Sequence, residues 1–223
     1  METNLDQIKE EIKGTNENVE VKSVNILFLD ISSSCTGYTI ANVNFENKSA
    51  NFKAAGCLWL PDKWTHQEKY CYMSDAITNY FWVVEKIDYI VVEQYSVNPN
   101  KMTGVNVVSE MQGAIKSAAW QNGVKVASIL PQTWRSVLKI KGLPKGEDKG
   151  KDYKGPTKAR VLERLNVPET VVSNITKSDR QTPSDVYDSL AIGMAWLEKL
   201  GITKQTYSNI EFNTHVGVVN EQV

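Results

Sequence analysis

The chain has 223 residues, 25 Lys+Arg against 26 Asp+Glu, a formal net charge of −1, 41% hydrophobic and 23% charged residues. This balance excludes a disordered or fibrous chain and fits one globular domain of roughly 100–200 residues with tails. No apolar run approaches the ~20 residues of a membrane span, and residues 1–21 lack the apolar stretch of a secretory signal. The expectation is therefore a cytoplasmic protein with no membrane partner. Cys35, Cys57 and Cys71 share no short spacing, and His66 and His215 lie far apart, so the pattern is not that of a zinc site.

In chain order, residues 1–22 read as a disordered acidic tail. Residues 24–30 (VNILFLD) form a continuous apolar run that ends in an acid, as in a strand buried on both faces. A turn at 32–37 leads to strands at 38–43 and 52–59, a three-stranded antiparallel meander. Residues 65–86 are spaced as a helix, with Tyr72, Ala76, Tyr80 and Val83 marking one face. A fourth strand, 88–93 (DYIVVE), again ends in an acid. Residues 105–121 form a helix rich in small side chains, 124–130 a fifth strand, and Pro131 opens another helix. A loop insertion at 141–155 holds four glycines and a proline. Helices at 156–165 and 183–200 follow, and 202–223 is left as a C-terminal tail. The order implies one α/β domain over 23–201, a five-stranded mixed sheet with helices on its faces.

Charge is uneven. Residues 135–164 carry ten basic side chains, Arg135, Lys139 and Lys158 among them, against four acids. Such an excess suits phosphate neutralisation, although a solvated loop would carry it equally well.

Four carboxylates need a reason. Asp30 and Glu93 close apolar strands; if those strands are parallel neighbours, both acids emerge at the sheet edge where open α/β sheets place ligands. Each, taken singly, could be a solvated strand end. Thr182-Pro183-Ser184-Asp185 starts a helix with Thr182 as N-cap, and Asp185 could be a capping acid only. Asp188 lies deeper, and the sequence after it, SLAIGMAWL, is apolar all round, as in a buried helix. A buried carboxylate requires a cation or hydrogen-bond donors, and acids three apart on a helix share a face. Four acids at one edge would repel unless cations separate them; Mg2+ takes carboxylate, water and phosphate oxygens. Two such ions can promote phosphodiester hydrolysis.

The order Asp30-Ile31-Ser32-(x3)-Thr36-Gly37-Tyr38, then IVVEQ at 90–94, then Asp185-(x2)-Asp188-Ser-Leu-Ala-Ile resembles the RuvC-type Holliday junction resolvases of the RNase H-like superfamily. The resemblance spans about residues 24–200 and implies an RNase H-like fold. It further implies that Asp30, Glu93, Asp185 and Asp188 are catalytic acids holding two Mg2+ ions, with Mn2+ as a substitute. Asp30 would bridge both ions, Glu93 would complete one site, and Asp185 with Asp188 the other. Lys158 falls on a family lysine that serves phosphate contact and catalysis, and Arg135 on the other. With Lys139 of the basic stretch and Tyr95 they form the expected DNA-binding set. The implied partners are four-way branched DNA and a second copy of the chain, joined through the 105–121 helix, with no nucleotide cofactor.

The chain departs from the family in four places. Ile31-Ser32 stands where the family has Pro-Gly, closer to bacteriophage variants. Ser96 occupies the position of the family's aromatic wedge, with Tyr95 one residue away as a substitute or an ordinary strand-end tyrosine. The 141–155 loop is long, and the N-terminal tail has no counterpart. Trp134 reads as core. The other readings are a nuclease for flaps or RNA–DNA hybrids and an inactive branched-DNA-binding module. The duplicated actin-like ATPase fold needs a longer chain.

Overall fold

The computed structural model describes residues 23–94, 105–141, 155–166, 184–207 and 210–216. Expectations for the acidic tail, for Tyr95 and Ser96, for most of the 141–155 loop and for the Thr182 cap lie outside the described residues.

The strands are β1 (Val24–Asp30), β2 (Cys35–Asn44), β3 (Ser49–Trp59), β4 (Tyr89–Glu93), β5 (Lys125–Ile129), β6 (Lys204–Thr206) and β7 (Glu211–Val216). They form one mixed sheet in the order β5-β4-β1-β2-β3-β6, with β7 also paired to β3. β1, β2 and β3 are the antiparallel meander, and β4 and β5 add in parallel beside β1. The expectation of an α/β mixed sheet flanked by helices therefore stands, but with seven strands among the described residues rather than five. The two additional strands come from the segment left as a tail. β6 pairs in parallel with Ser49–Asn51 and β7 with Ala54–Trp59, so the outer edge of β3 is covered instead of open to other chains. Strands of three and six residues with polar sequence carry little local signal; pairing to an existing edge creates them.

Among the described residues the α-helices are α1 (His66–Asp75), α2 (Val105–Gln121), α3 (Pro131–Val137), α4 (Gly155–Leu165) and α5 (Ser184–Lys199). A capping box starts α1: Thr65 Oγ1 accepts from the Glu68 amide, and the Glu68 carboxylate accepts from the Thr65 amide. The expected single helix over 65–86 is in two parts, because α1 widens into π-helical turns over Ala76–Val84. This rotates the buried stripe to Met73, Ala76, Ile77 and Phe81, leaving Val83 exposed.

Alternation along the strands sorts the core into two layers. Leu27, Leu29, Tyr38 and Ile40 face α1 and α2, where they meet Phe81, Met111 and Ile115. Ile26, Phe28, Phe52 and Val91 face α5. α3 and α4 pack on the far side of α5, which is why Val186–Leu197 is buried throughout. Gly193 lets that helix lie close to the sheet, since a Cβ there would sit 3.0 Å from the Phe28 ring. Cys35 and Cys57, diagonal neighbours across β2 and β3, are paired as a disulfide with Cα atoms 6.1 Å apart. The strand register brings these two together; their spacing in the sequence gave no sign of it. Among the described residues, no helix is long and apolar enough to cross a membrane.

Candidate metal centre

β1 and β4 run parallel with Leu29 opposite Val92, so the next residues, Asp30 and Glu93, leave the sheet side by side. Phe28 and Val91 face α5; with a period of two, Asp30 and Glu93 belong to that same face. The Asp30 carboxylate thus stands under the N-terminal turn of α5.

That turn comes unusually near the sheet. Gly37 of β2 pairs with Asp30, and a Cβ at Gly37 would lie 1.9 Å from the Asp185 carbonyl oxygen. Only a residue without a side chain allows this approach. One turn on, Thr39 Oγ1 and Ser189 Oγ lie 2.9 Å apart in the core, while Ser189 Oγ donates to the Val186 carbonyl oxygen at 2.9 Å. The helix is therefore tied to β2 by its backbone and by a buried hydroxyl pair. The Arg164–Glu198 ion pair joins α4 to the other end of α5.

The consequence is a cluster. Asp30, Asp185 and Asp188 each offer a carboxylate oxygen within 4.8 Å of the others. Asp188 is only 4% exposed, and Asp30 and Asp185 are half-buried. Three negative groups this close in a poorly hydrated place repel one another, and a hard cation among them reverses the sign of the interaction. An all-oxygen donor set suits Mg2+ or Mn2+ and not the softer metals. The residues present fit such an ion.

Glu93 is half-buried; its backbone lies next to that of Asp30 through the β1–β4 pairing, but its carboxylate is not one of the three that cluster. Its Oε2 accepts a 2.9 Å hydrogen bond from Trp134 Nε1, and its carbonyl oxygen one of 2.9 Å from the Gln112 side chain. Trp134 is fully buried, as expected of a core residue. Lys158, in the first turn of α4, places its Nζ 5.8 Å from the centroid of the Tyr187 ring, next in sequence to Asp188. The Arg135 guanidinium stacks 4.8 Å above the Trp134 ring. Arg135 and Lys139 are exposed, and Lys139 ends α3 in the left-handed conformation with φ 57°.

Three residues near the site have roles that the sequence does not reveal. The motif gives no reason for Gly37, and core composition gives no hydrogen-bond role to Trp134. The third, Lys69, is 92% buried, and its Nζ donates at 2.7 Å to the carbonyl oxygen of Ser33, in the turn that follows Asp30. A lysine at one helix position carries no mark of burial; its neighbours in space decide it.

No protein-family model matches the chain, and no curated protein matches it by sequence. Solved structures do. RuvC from T. thermophilus bound to a Holliday junction substrate matches with a TM-score of 0.55 at 15% identity, over 79% of this chain and 93% of that one. The fold is that of the RuvC-type resolvases. A second Thermus thermophilus RuvC structure gives 0.53 at 17% identity, over 79% and 94% of the two chains. The yeast mitochondrial Holliday junction resolvase gives 0.53 at 13% identity over 88% of each. In a RuvC-type frame, the acid cluster occupies the carboxyl ends of the central strands, where an open α/β sheet exposes its ligand crevice.

Proposed function

We propose that this RuvC-type chain is a magnesium-dependent endonuclease that resolves four-way DNA junctions by paired, symmetrical cleavage. The observation that carries the proposal is the convergence of Asp30, Asp185 and Asp188 within 4.8 Å, with Glu93 on the adjacent parallel strand. Asp30, Asp185 and Asp188 would hold one ion, and Asp30 with Glu93 the other. Bound there, the ions supply positive charge that activates the attacking water and stabilises the leaving oxygen.

The chain's own residues do the rest. The buried frame of β1, β2 and α5 fixes the acids before substrate arrives, so no reorganisation accompanies the reaction. Lys158 brings an ammonium group toward the acid-bearing turn, where it can hold a non-bridging phosphate oxygen. Arg135 and Lys139 offer exposed positive charge to neighbouring phosphates, and Tyr95 is the candidate for contact with the bases. A homodimer is supported by the outward face of α2: Gly113 and Ser117 are exposed beside Trp120, which is 85% exposed. Small side chains permit close helix approach, and an exposed tryptophan gains most by being covered.

The test is cleavage of a labelled four-way junction alongside linear duplex, flap and RNA–DNA hybrid, with Mg2+ and with chelator. The expected result is paired nicks on the junction that require metal. Asp188→Asn should reduce cleavage by several orders of magnitude while junction binding persists. Cuts confined to flaps or hybrids would move the substrate, and metal-independent cleavage would remove the acids from the mechanism.

A further inference from the structure

Gly37 fixes how near α5 lies to β2; it does not fix where along the strand the helix rests. The buried run of α5 from Leu190 to Leu197 is largely apolar, and apolar contact has no preferred direction. A buried pair of hydroxyls does have one. Thr39 of β2 and Ser189 of α5 are both fully buried, and their oxygens lie 2.9 Å apart. Ser189 Oγ donates its single proton to the Val186 carbonyl oxygen at 2.9 Å, so Thr39 must donate the hydrogen bond between the two hydroxyls. The result is a directed chain from β2, through Ser189, to the backbone of the first turn of α5. Ser189 follows Asp188 directly, and Val186 follows Asp185. On β2, Thr39 is paired with Phe28 and Gly37 with Asp30, so the contact and the acid of β1 are two residues apart on one face of the sheet.

We infer that Thr39 and Ser189 are positioning residues: their hydrogen bond sets the register of α5 on β2, and with it the place of Asp185 and Asp188 relative to Asp30. This rests on the proposed reading of that trio as a metal centre. The three carboxylates come within 4.8 Å of one another from two separate elements, so their spacing is only as exact as the seat of the helix. A hydrogen bond weakens steeply with distance and angle, and a buried hydroxyl without a partner costs free energy. The pair therefore favours the one seat in which both hydroxyls are satisfied, and it resists sliding and rotation that apolar packing tolerates. Mg2+ demands near-ideal octahedral geometry, so a helix that shifts on the sheet weakens ion binding before it weakens the fold.

Two variants of the full chain separate the hydrogen bond from the packing around it. Thr39→Val combined with Ser189→Ala removes both hydroxyls and strands neither, whereas Thr39→Ser keeps the hydroxyl and removes only a methyl group. Replacing both partners of a buried hydrogen bond by apolar groups of similar shape is close to neutral for stability. The probe is Mn2+ alone, with uptake read from the spin-resonance signal of the free ion and folding from the melting temperature. The double variant should melt near the wild-type temperature yet take up Mn2+ about 10–100-fold more weakly, the scale seen when support around a metal ligand is lost. Thr39→Ser should take up Mn2+ as the wild type does. If the double variant does not fold, Thr39→Val alone carries the test, because Ser189 still donates to Val186 and no proton is stranded. Wild-type uptake without the Thr39 hydroxyl would overturn this inference and leave the nuclease reading intact. A melting temperature that falls along with uptake in the double variant would also overturn it, since that marks a pair that only stabilises. Loss of uptake in Thr39→Ser equal to that in the double variant would do the same, because the methyl group would then be what matters. A wild-type chain that takes up no Mn2+ and cleaves no junction would overturn both this inference and the reading beneath it.

Discussion

Gly37 shows how a single residue sets the distance on which the site depends. Its absent side chain lets the Asp185 backbone rest on β2, and a methyl group there would lie 1.9 Å from the Asp185 carbonyl oxygen. Helix α5 would have to lift. Overpacking of this kind costs about 1–3 kcal/mol, or a fall of roughly 3–10 °C in melting temperature for a domain of this size. Gly37→Ala should therefore lower the melting temperature by that amount and reduce cleavage more than stability alone requires, because Asp185 moves with the helix. Thermal melts and single-turnover cleavage read the two effects separately; normal cleavage in a destabilised variant would detach the Gly37 contact from the site. At this scale four candidate acids stand out in the sequence, each for a stated reason, and the structure brings three of them, Asp30, Asp185 and Asp188, together. Asp188 stood out because an apolar helix surrounded it, and the structure leaves it 4% exposed. Trp134 and Lys69 were not legible in their roles, because a hydrogen bond across 41 or 36 residues has no local signature.

Elements were read well where a long apolar run met an unambiguous period. β1 falls on 24–30 and α2 on 105–121 as the pattern implies. Ends were less well placed: β2 starts at Cys35 and not at residue 38, because pairing with β3 extends the strand into the expected turn. The two strands the sequence did not reveal have a consequence that can be measured. β7 covers Ala54–Trp59 on the outer edge of β3. Truncation after residue 207 would expose six residues of unpaired edge backbone in the middle of a folded sheet. The truncated chain should lose melting temperature and self-associate in a concentration-dependent way, visible by light scattering after gel filtration. A truncated chain that elutes as the full-length one does and melts at the same temperature would show that β7 contributes nothing to the edge.

For the molecule as a whole, two packed layers bury several tyrosine hydroxyls, and their ionisation couples to folding. Burial, reinforced by Tyr80 and Glu85, pushes the Tyr38 hydroxyl far above the ordinary tyrosine range. Burial, with Glu85 beside it, pushes Tyr80 up to about 12. Burial does the same for Tyr207, also to about 12, against the opposing charge of Arg164. In the unfolded chain these groups ionise near pH 10. Between about pH 10 and 12 the folded state thus retains protons that the unfolded state has lost, so the stability these hydroxyls contribute below pH 10 falls as pH rises. The melting temperature should decline above pH 10, and the ultraviolet ionisation curve of the nine tyrosines should show a delayed group. A single transition near pH 10 in the folded protein would contradict the burial of these hydroxyls.

The sequence by itself determined the layer architecture, the order of the central elements and the choice of four candidate acids. These follow from periodicity, from strand ends and from a carboxylate inside an apolar helix, all properties of short windows. The tertiary structure decided how the acids meet. Parallel pairing of β1 with β4 placed Asp30 beside Glu93. The close seat of α5 on Gly37 drew Asp185 and Asp188 to Asp30. The indole of Trp134 reached Glu93 from a separate helix, and β3 recruited its two outer strands from the polar C-terminal segment. Each of these depends on atoms distant in sequence coming within a few ångströms, a relation that no local pattern encodes.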